Sequence, residues 1–164
     1  MDLTQRTLVL TFDETVNGTS LNVYELTLHT HASLADSNDW VSLTSVSSTP
    51  TVYNTVVVVN LGEIDFNAIT AYTSLATSSA NTFLSLSNES IWDMNWNAVV
   101  ERNGAPVSVF VADTAPPSLR TFDLNMDTGV MTLTFSETVN GNSLDPTAYT
   151  LVGAPGHSFR LTGG

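Results

Sequence analysis

The chain has 164 residues, with no cysteine and no lysine, and its only cationic side chains are Arg6, Arg102, Arg120 and Arg160. Without cysteine there is no disulfide framework, no thiolate metal site and no cysteine nucleophile. Sixteen acids against four arginines give a net charge of −12, which leaves almost no cationic surface for nucleic acid or anionic lipid. Histidine is also scarce, at His29, His31 and His157, and no Gly-x-Ser-x-Gly, His-Glu-x-x-His or glycine-rich phosphate loop occurs, so an enzyme is not expected. Long apolar runs are missing as well. The most apolar stretch, Val56 to Val59 inside Thr51 to Leu61, falls well short of the ~20 residues that span a bilayer. Met1 is followed by Asp2, not by a basic and then apolar segment, so no targeting signal is visible and no membrane insertion is expected.

Serine and threonine are abundant, numbering 42 together, yet apolar residues still make up 42% of the chain, more than a disordered chain carries. An internal repeat organises them. Leu10-Thr-Phe-Asp-Glu-Thr-Val-Asn-Gly-Thr-Ser-Leu21 matches Leu133-Thr-Phe-Ser-Glu-Thr-Val-Asn-Gly-Asn-Ser-Leu144 at ten of twelve positions, offset by 123 residues. A repeat of that length is one whole domain. Between the copies, Asp113-Thr-Ala-Pro-Pro117 reads as a short stiff linker, because proline fixes φ and removes backbone donors. The expected division is a module over 1–112, a linker over 113–117 and the beginning of a second module over 118–164.

Within the first copy, Thr7 to Phe12, Glu25 to His29, Trp40 to Leu43, Thr51 to Leu61, Thr82 to Leu86 and Val107 to Val111 read as strands by composition and partial alternation. Ile64, Ala68, Ile69, Tyr72 and Leu75 fall near helical spacing, predicting one short helix over Glu63 to Leu75 with Asp65 as its cap. The expected class is all-β, an antiparallel sandwich. Its core would come from Leu8, Leu10, Phe12, Leu28, Val57, Val59, Ile69, Leu84 and Val109, with Leu133 and Phe135 repeating Leu10 and Phe12.

Four features carry a family resemblance: the strand start Leu133-Thr-Phe-Ser-Glu-x-Val139, the following Ser143-Leu-Asp145, the turn Asp93-x-Asn-x-Asn97 and the linker Asp113-Thr-x-Pro-Pro117. Together they resemble the immunoglobulin-like repeats of large extracellular proteins, such as bacterial surface-layer and adhesin arrays and long cell-surface proteins of algae and other protists. The resemblance implies an extracellular or cell-surface glycoprotein segment acting as a spacer, adhesin module or filament protomer, with other copies of the module as partners. The sequence departs from the family at Trp96, where the family turn carries glycine.

Candidate site residues follow from chemistry. Calcium takes oxygen ligands from carboxylates, amides and carbonyls, and Asp93, Asn95 and Asn97 alternate as such ligands would, with Asp113 able to add a carboxylate; no other cofactor is implied. Glu14 is a weaker ligand candidate, and its recurrence as Glu137 points to a structural role. Asn17-Gly-Thr19 and Asn88-Glu-Ser90 are glycosylation sequons, placing Asn17 and Asn88 in loops. Trp40, Trp92 and Trp96 would stack on sugar rings in the alternative reading, a carbohydrate-binding module, whereas core packing is the commoner use of tryptophan. His29 and His31 sit at strand spacing, as a pair of metal ligands, as a base with its orienter, or as ordinary side chains.

At the 123-residue offset, the strand Leu119 to Leu124 has no counterpart ahead of Asp2, and nothing after Gly164 repeats Ser47 to Val111. The first copy is expected to lack its first strand and the second to be incomplete. Met1-Asp2 is similar to Met126-Asp127, so Met1 reads as an internal residue. Residues 118–164 are expected to be ordered through another copy, head to tail or by strand addition.

Overall fold

The computed structural model describes residues 1–163. In chain order the strands are β1 (Thr7–Asn17), β2 (Leu26–His29), β3 (Trp40–Ser42) and β4 (Tyr53–Asn60), then helix α1 (Glu63–Ala71), followed by β5 (Phe83–Leu86), β6 (Trp92–Asp93), β7 (Arg102–Pro106), β8 (Leu119–Asn125), β9 (Val130–Phe135), β10 (Thr150–Val152) and β11 (Ser158–Arg160). The strands pair antiparallel throughout, as expected of an all-β chain with one helix.

β1 shows why the period-2 signal works. Leu8 and Leu10 turn inward and are buried, whereas Val9 and Thr11 turn outward. The same alternation on β4 buries Val57 and Val59, and the register sets Leu8 opposite Val59 and Leu10 opposite Val57. Between Thr11 and Val16 the pairing shifts, so the middle of β1 lifts away from β4; beyond it, Val16 pairs with both Asn54 and Asp93. The resulting sheet has the order β4-β1-β6, and a second sheet has the order β3-β2-β5-β7. Inner residues of both, including Leu26, Leu28, Val41 and Leu84, join one buried cluster. Each such fully buried side chain contributes about 1.5–3 kcal/mol of transfer free energy.

The helix closes this cluster with Phe66 and Ile69. Arg6 lays its guanidinium 4.3 Å from the centre of the Phe66 ring, a cation–π contact. Two details of the expected helix are corrected. It ends at Ala71 because Tyr72 is extended, and its cap is Gly62. Asp65 lies in the first turn, fully buried, and accepts hydrogen bonds from the Thr44 amide (2.8 Å), the Thr44 hydroxyl (2.8 Å) and the Ser47 hydroxyl (2.6 Å). It therefore pins the helix to the connection between β3 and β4.

The expected core also needs correction: Leu133 and Phe135, the counterparts of Leu10 and Phe12, are only half-buried. Phe12 is half-buried at the bulge, and Val109 is exposed because its segment turns its backbone, not its side chain, toward the interior: the Val109 carbonyl accepts from the Met1 ammonium at 2.7 Å. For the same reason the last strand of the first copy lies at Arg102–Pro106, and residues 107–111 contribute only a bridge at Val111.

Beyond Pro117 the chain forms two separate two-stranded sheets, β8-β9 and β10-β11. The repeated motif builds the same turn twice. The Asn17 side chain accepts from the Thr19 amide at 3.1 Å and the Asn140 side chain from the Asn142 amide at 3.0 Å. The Ser20 and Ser143 hydroxyls donate to the Asn17 and Asn140 carbonyls at 2.6 and 2.7 Å. One step later, Asn22 and Asp145 each accept from the amide two residues on. What differs is burial: Val16 is 4% exposed and its counterpart Val139 is 39% exposed, because β4 and β6 cover the first and no counterpart of them covers the second.

Candidate functional site

Asp93, Asn95 and Asn97 are brought together in one tight turn. The carboxylate of Asp93 accepts from the Asn95 amide (2.8 Å), the Asn97 amide (2.7 Å) and the Asn97 side-chain amide (2.7 Å), and the Asp93 amide donates to the Asn97 carbonyl (2.9 Å). These bonds, led by the one from the Asn97 side chain, hold the Asp93 carboxyl below the usual carboxylate range. Trp96 sits at φ +66°, the left-handed region that favours glycine. The turn therefore places tryptophan at a position whose backbone suits glycine.

Asp113 faces a different neighbour. The Glu137 carboxyl is pushed upward, first by burial and then by the adjacent Asp113 carboxyl, with Arg6 opposing. Glu14, the counterpart of Glu137, lies on β1 and is exposed. Among the described residues no group of three or more His, Asp or Glu side chains is gathered as a metal site.

The tryptophans divide. Trp40 and Trp96 are 53% and 73% exposed, so neither packs in the core, and Trp92 is half-buried where β6 meets β1. The histidines divide too. His29 is fully buried, with its ring nitrogens at 2.8 Å from the Ser85 hydroxyl and 3.3 Å from the Ser37 hydroxyl, and its ring stacks on Phe83. Burial pulls its pKa below the ordinary histidine value. His31 is exposed beyond the end of β2 and bonds Thr30, so the two rings do not act together. Asn17 ends β1 as the cap of a 3-10 turn, and Asn88 is exposed in the turn after β5.

One feature was not among the sequence candidates. A groove of about 920 Å³ runs beside β1, lined by core leucines (Leu8, Leu10, Leu28, Leu84) and by Ala105 and Val107. At one end Met1 and Asp2 hold a short parallel contact: Val111 donates to the Met1 carbonyl (3.0 Å) and Leu3 to the Val111 carbonyl (2.9 Å). The far end is marked by Asp93 and Asn97, and Asp13 and Glu14 line it as well.

The β1 edge that faces this groove carries backbone donors and acceptors. Asp2 and Thr7 exchange both backbone hydrogen bonds at 2.8 Å, so Thr7 directs its amide and carbonyl away from β4. Direction alternates along an antiparallel ladder, which aims Val9 and Thr11 the same way. The pairing of β4 agrees. Asn60, Val58 and Val56 stand opposite Thr7, Val9 and Thr11, and their amides bond Ser48, the Thr51 hydroxyl and the Asn54 side chain instead of β1. The arrangement is that of a sheet edge above an apolar trough, a geometry that suits an extended peptide. Comparison with protein-family models, with curated proteins and with solved structures found no match to this chain.

Proposed function

We propose that the chain is a structural or adhesive segment of a tandem array of immunoglobulin-like modules at a cell surface, serving as a spacer or filament protomer. The observation that carries this reading is the repeat itself, one motif that builds the same turn twice. The same residues make the same turns twice, but Val16 is buried where Val139 is open, and Leu21 is half-buried where Leu144 is 47% exposed. In the first copy that cover comes from β4 and β6 of the same half of the chain. Phe122, Met126, Val152 and Phe159 add apolar surface to the second half, each more than half exposed. Exposed apolar side chains of this size offer area for contact with another surface. The strong negative charge keeps such a chain soluble between contacts.

The test is antibody labelling of unpermeabilised source cells, with negative-stain microscopy of the labelled material. Labelling confined to the cell interior would overturn the reading.

A second reading, a carbohydrate-binding module, is favoured by the exposure of Trp40 and Trp96. A glycan array with Trp40→Ala and Trp96→Ala variants separates the two, since binding lost with either tryptophan belongs to the second reading alone.

A further inference from the structure

We propose that residues 31–38 form a flap, held over the outer face of the second sheet by the neutral imidazole of His29, and that protonation of this one ring releases it.

The place of the ring follows from alternation. Leu26 and Leu28 of β2 join the core, so Thr27 and His29 face away from it. On β5, Ser85 stands opposite Thr27 and Phe83 opposite His29, on that same outer face. An imidazole on an outer face ordinarily meets water, yet this one is 0% exposed. The chain leaves β2 and turns back over it. Ala32 brings its carbonyl against Gly104 of β7, where an added Cβ would lie 1.7 Å from that oxygen, and Ser37 arrives at one of the two ring nitrogens.

Counting hydroxyl protons fixes how the ring is held. The Ser37 hydroxyl donates its single proton to the Ser33 carbonyl (3.0 Å) and accepts from the His31 amide (3.1 Å). Toward His29 it can only accept, so Nδ1 carries the ring proton. Nε2 is then an acceptor. The Ser85 oxygen takes the Gly104 amide (3.0 Å), and its hydroxyl proton goes to Nε2.

A second ring proton breaks this count. Nε2–H would point at the Ser85 oxygen, whose own proton would lose its acceptor in a buried site. The charge would also lack a counter-ion. β3 and β5 carry no charged residue, Arg102 lies at the far end of β7 opposite Leu86, Asp36 is exposed on the flap, and Asp39 accepts the Ser74 hydroxyl. Burial disfavours the charged ring most; the His31 backbone opposes this, and the His31 side chain adds to it.

Lifting the flap lets water reach the ring and removes both penalties, and little holds it down. Among the described residues, the only hydrogen bond between residues 32–38 and a strand is the 3.3 Å contact of Ser37 with His29. The Asp36 and Ser37 amides bond within the flap, to the Ser33 and Leu34 carbonyls. All of residues 31–38 except Ser33 and Ser37 are exposed, so opening gives up little apolar burial. Segments with few buried contacts open well below the free energy of global unfolding. Release uncovers the His29 ring and the Phe83 ring stacked on it.

Amide hydrogen exchange of the full chain, followed by NMR at pH 8 and pH 5 and corrected for the intrinsic pH dependence, tests this. The amides to follow are those of His31 and Gly104, which donate to the two serine hydroxyls, with Val57 and Val59 on the β1–β4 ladder as reference. For a ring that is neutral in the closed state and has the usual pKa of about 6.5 in the open one, opening at pH 5 gains up to about thirtyfold over pH 8. Protection at His31 and Gly104 should therefore fall at least about tenfold, while protection at Val57 and Val59 changes by less than about twofold. His29→Gln has no ring to protonate, so its flap, held or free, should exchange equally at both pH values. His31→Gln should keep the wild-type response. Unchanged protection in the wild type, an equal loss at Val57 and Val59, a response that survives in His29→Gln, or one that disappears in His31→Gln would overturn the proposal.

Discussion

The repeat offers a comparison in which chemistry is constant and only the surroundings change: Val16→Ala against Val139→Ala. Both substitutions remove two methyl groups, each about 0.8 kcal/mol of transfer free energy when fully buried. At Val16, 4% exposed, nearly all of that ~1.6 kcal/mol is lost. A cavity term adds to it, because Asn54 and Asp93 are fixed on either side by the ladders and cannot close in. The expected total is about 2–2.5 kcal/mol. At Val139, 39% exposed, water fills the space and the expected loss is under about 0.5 kcal/mol. Urea unfolding followed by far-UV circular dichroism suits the comparison, since strands on both sides of Pro117 contribute to it. An unchanged denaturant slope with a shifted midpoint identifies a stability effect. Equal shifts for the two variants, or a loss below about 1 kcal/mol at Val16, would refute the argument that tertiary cover, not the motif, decides the burial.

A second matched pair is Gly18→Ala and Gly141→Ala: an added Cβ would lie 2.2 Å from the Thr51 carbonyl oxygen at Gly18 and meets nothing within 4 Å at Gly141, so the melting temperature should drop by several degrees for the first and stay level for the second. Asp65→Ala strands the Thr44 amide and two hydroxyls in a buried site, and at about 1–3 kcal/mol for each unsatisfied group it should cost about 3–5 kcal/mol in urea unfolding, with Asp65→Asn in between. Trp96→Gly relieves a side chain held in the left-handed region, worth roughly 1 kcal/mol of gained stability by thermal melting. His29 is buried neutral with a lowered pKa, so the unfolded chain binds its proton first and stability falls as pH drops below about 6.5; between pH 8 and 5.5 the melting temperature of the wild type should fall more than that of His29→Gln, and parallel curves would contradict this.

Much of the molecule could be read from local signals, because alternation and turn chemistry act over a few residues. Leu8 and Leu10 inward, Val57 and Val59 opposite them, the Asn17 and Asn140 caps and a helix beginning at Glu63 all follow from short-range pattern. The Asp93 to Asn97 turn was legible as an Asx-rich loop, and its own hydrogen bonds are what close it. Long-range facts were not legible. Asp65 looked like a cap, because nothing local reveals that Thr44 and Ser47 return to it; Val109 looked like core, because its alternation does not say which backbone will bond Met1. Nor can a string of residues show an open sheet edge. The sequence by itself determined the β class, the duplicated motif, the helix and the lack of lysine and cysteine. Only the tertiary structure decided that Val16 is covered and Val139 is not, and that Val9 and Thr11 face a groove, because burial and backbone direction depend on which distant strands arrive alongside.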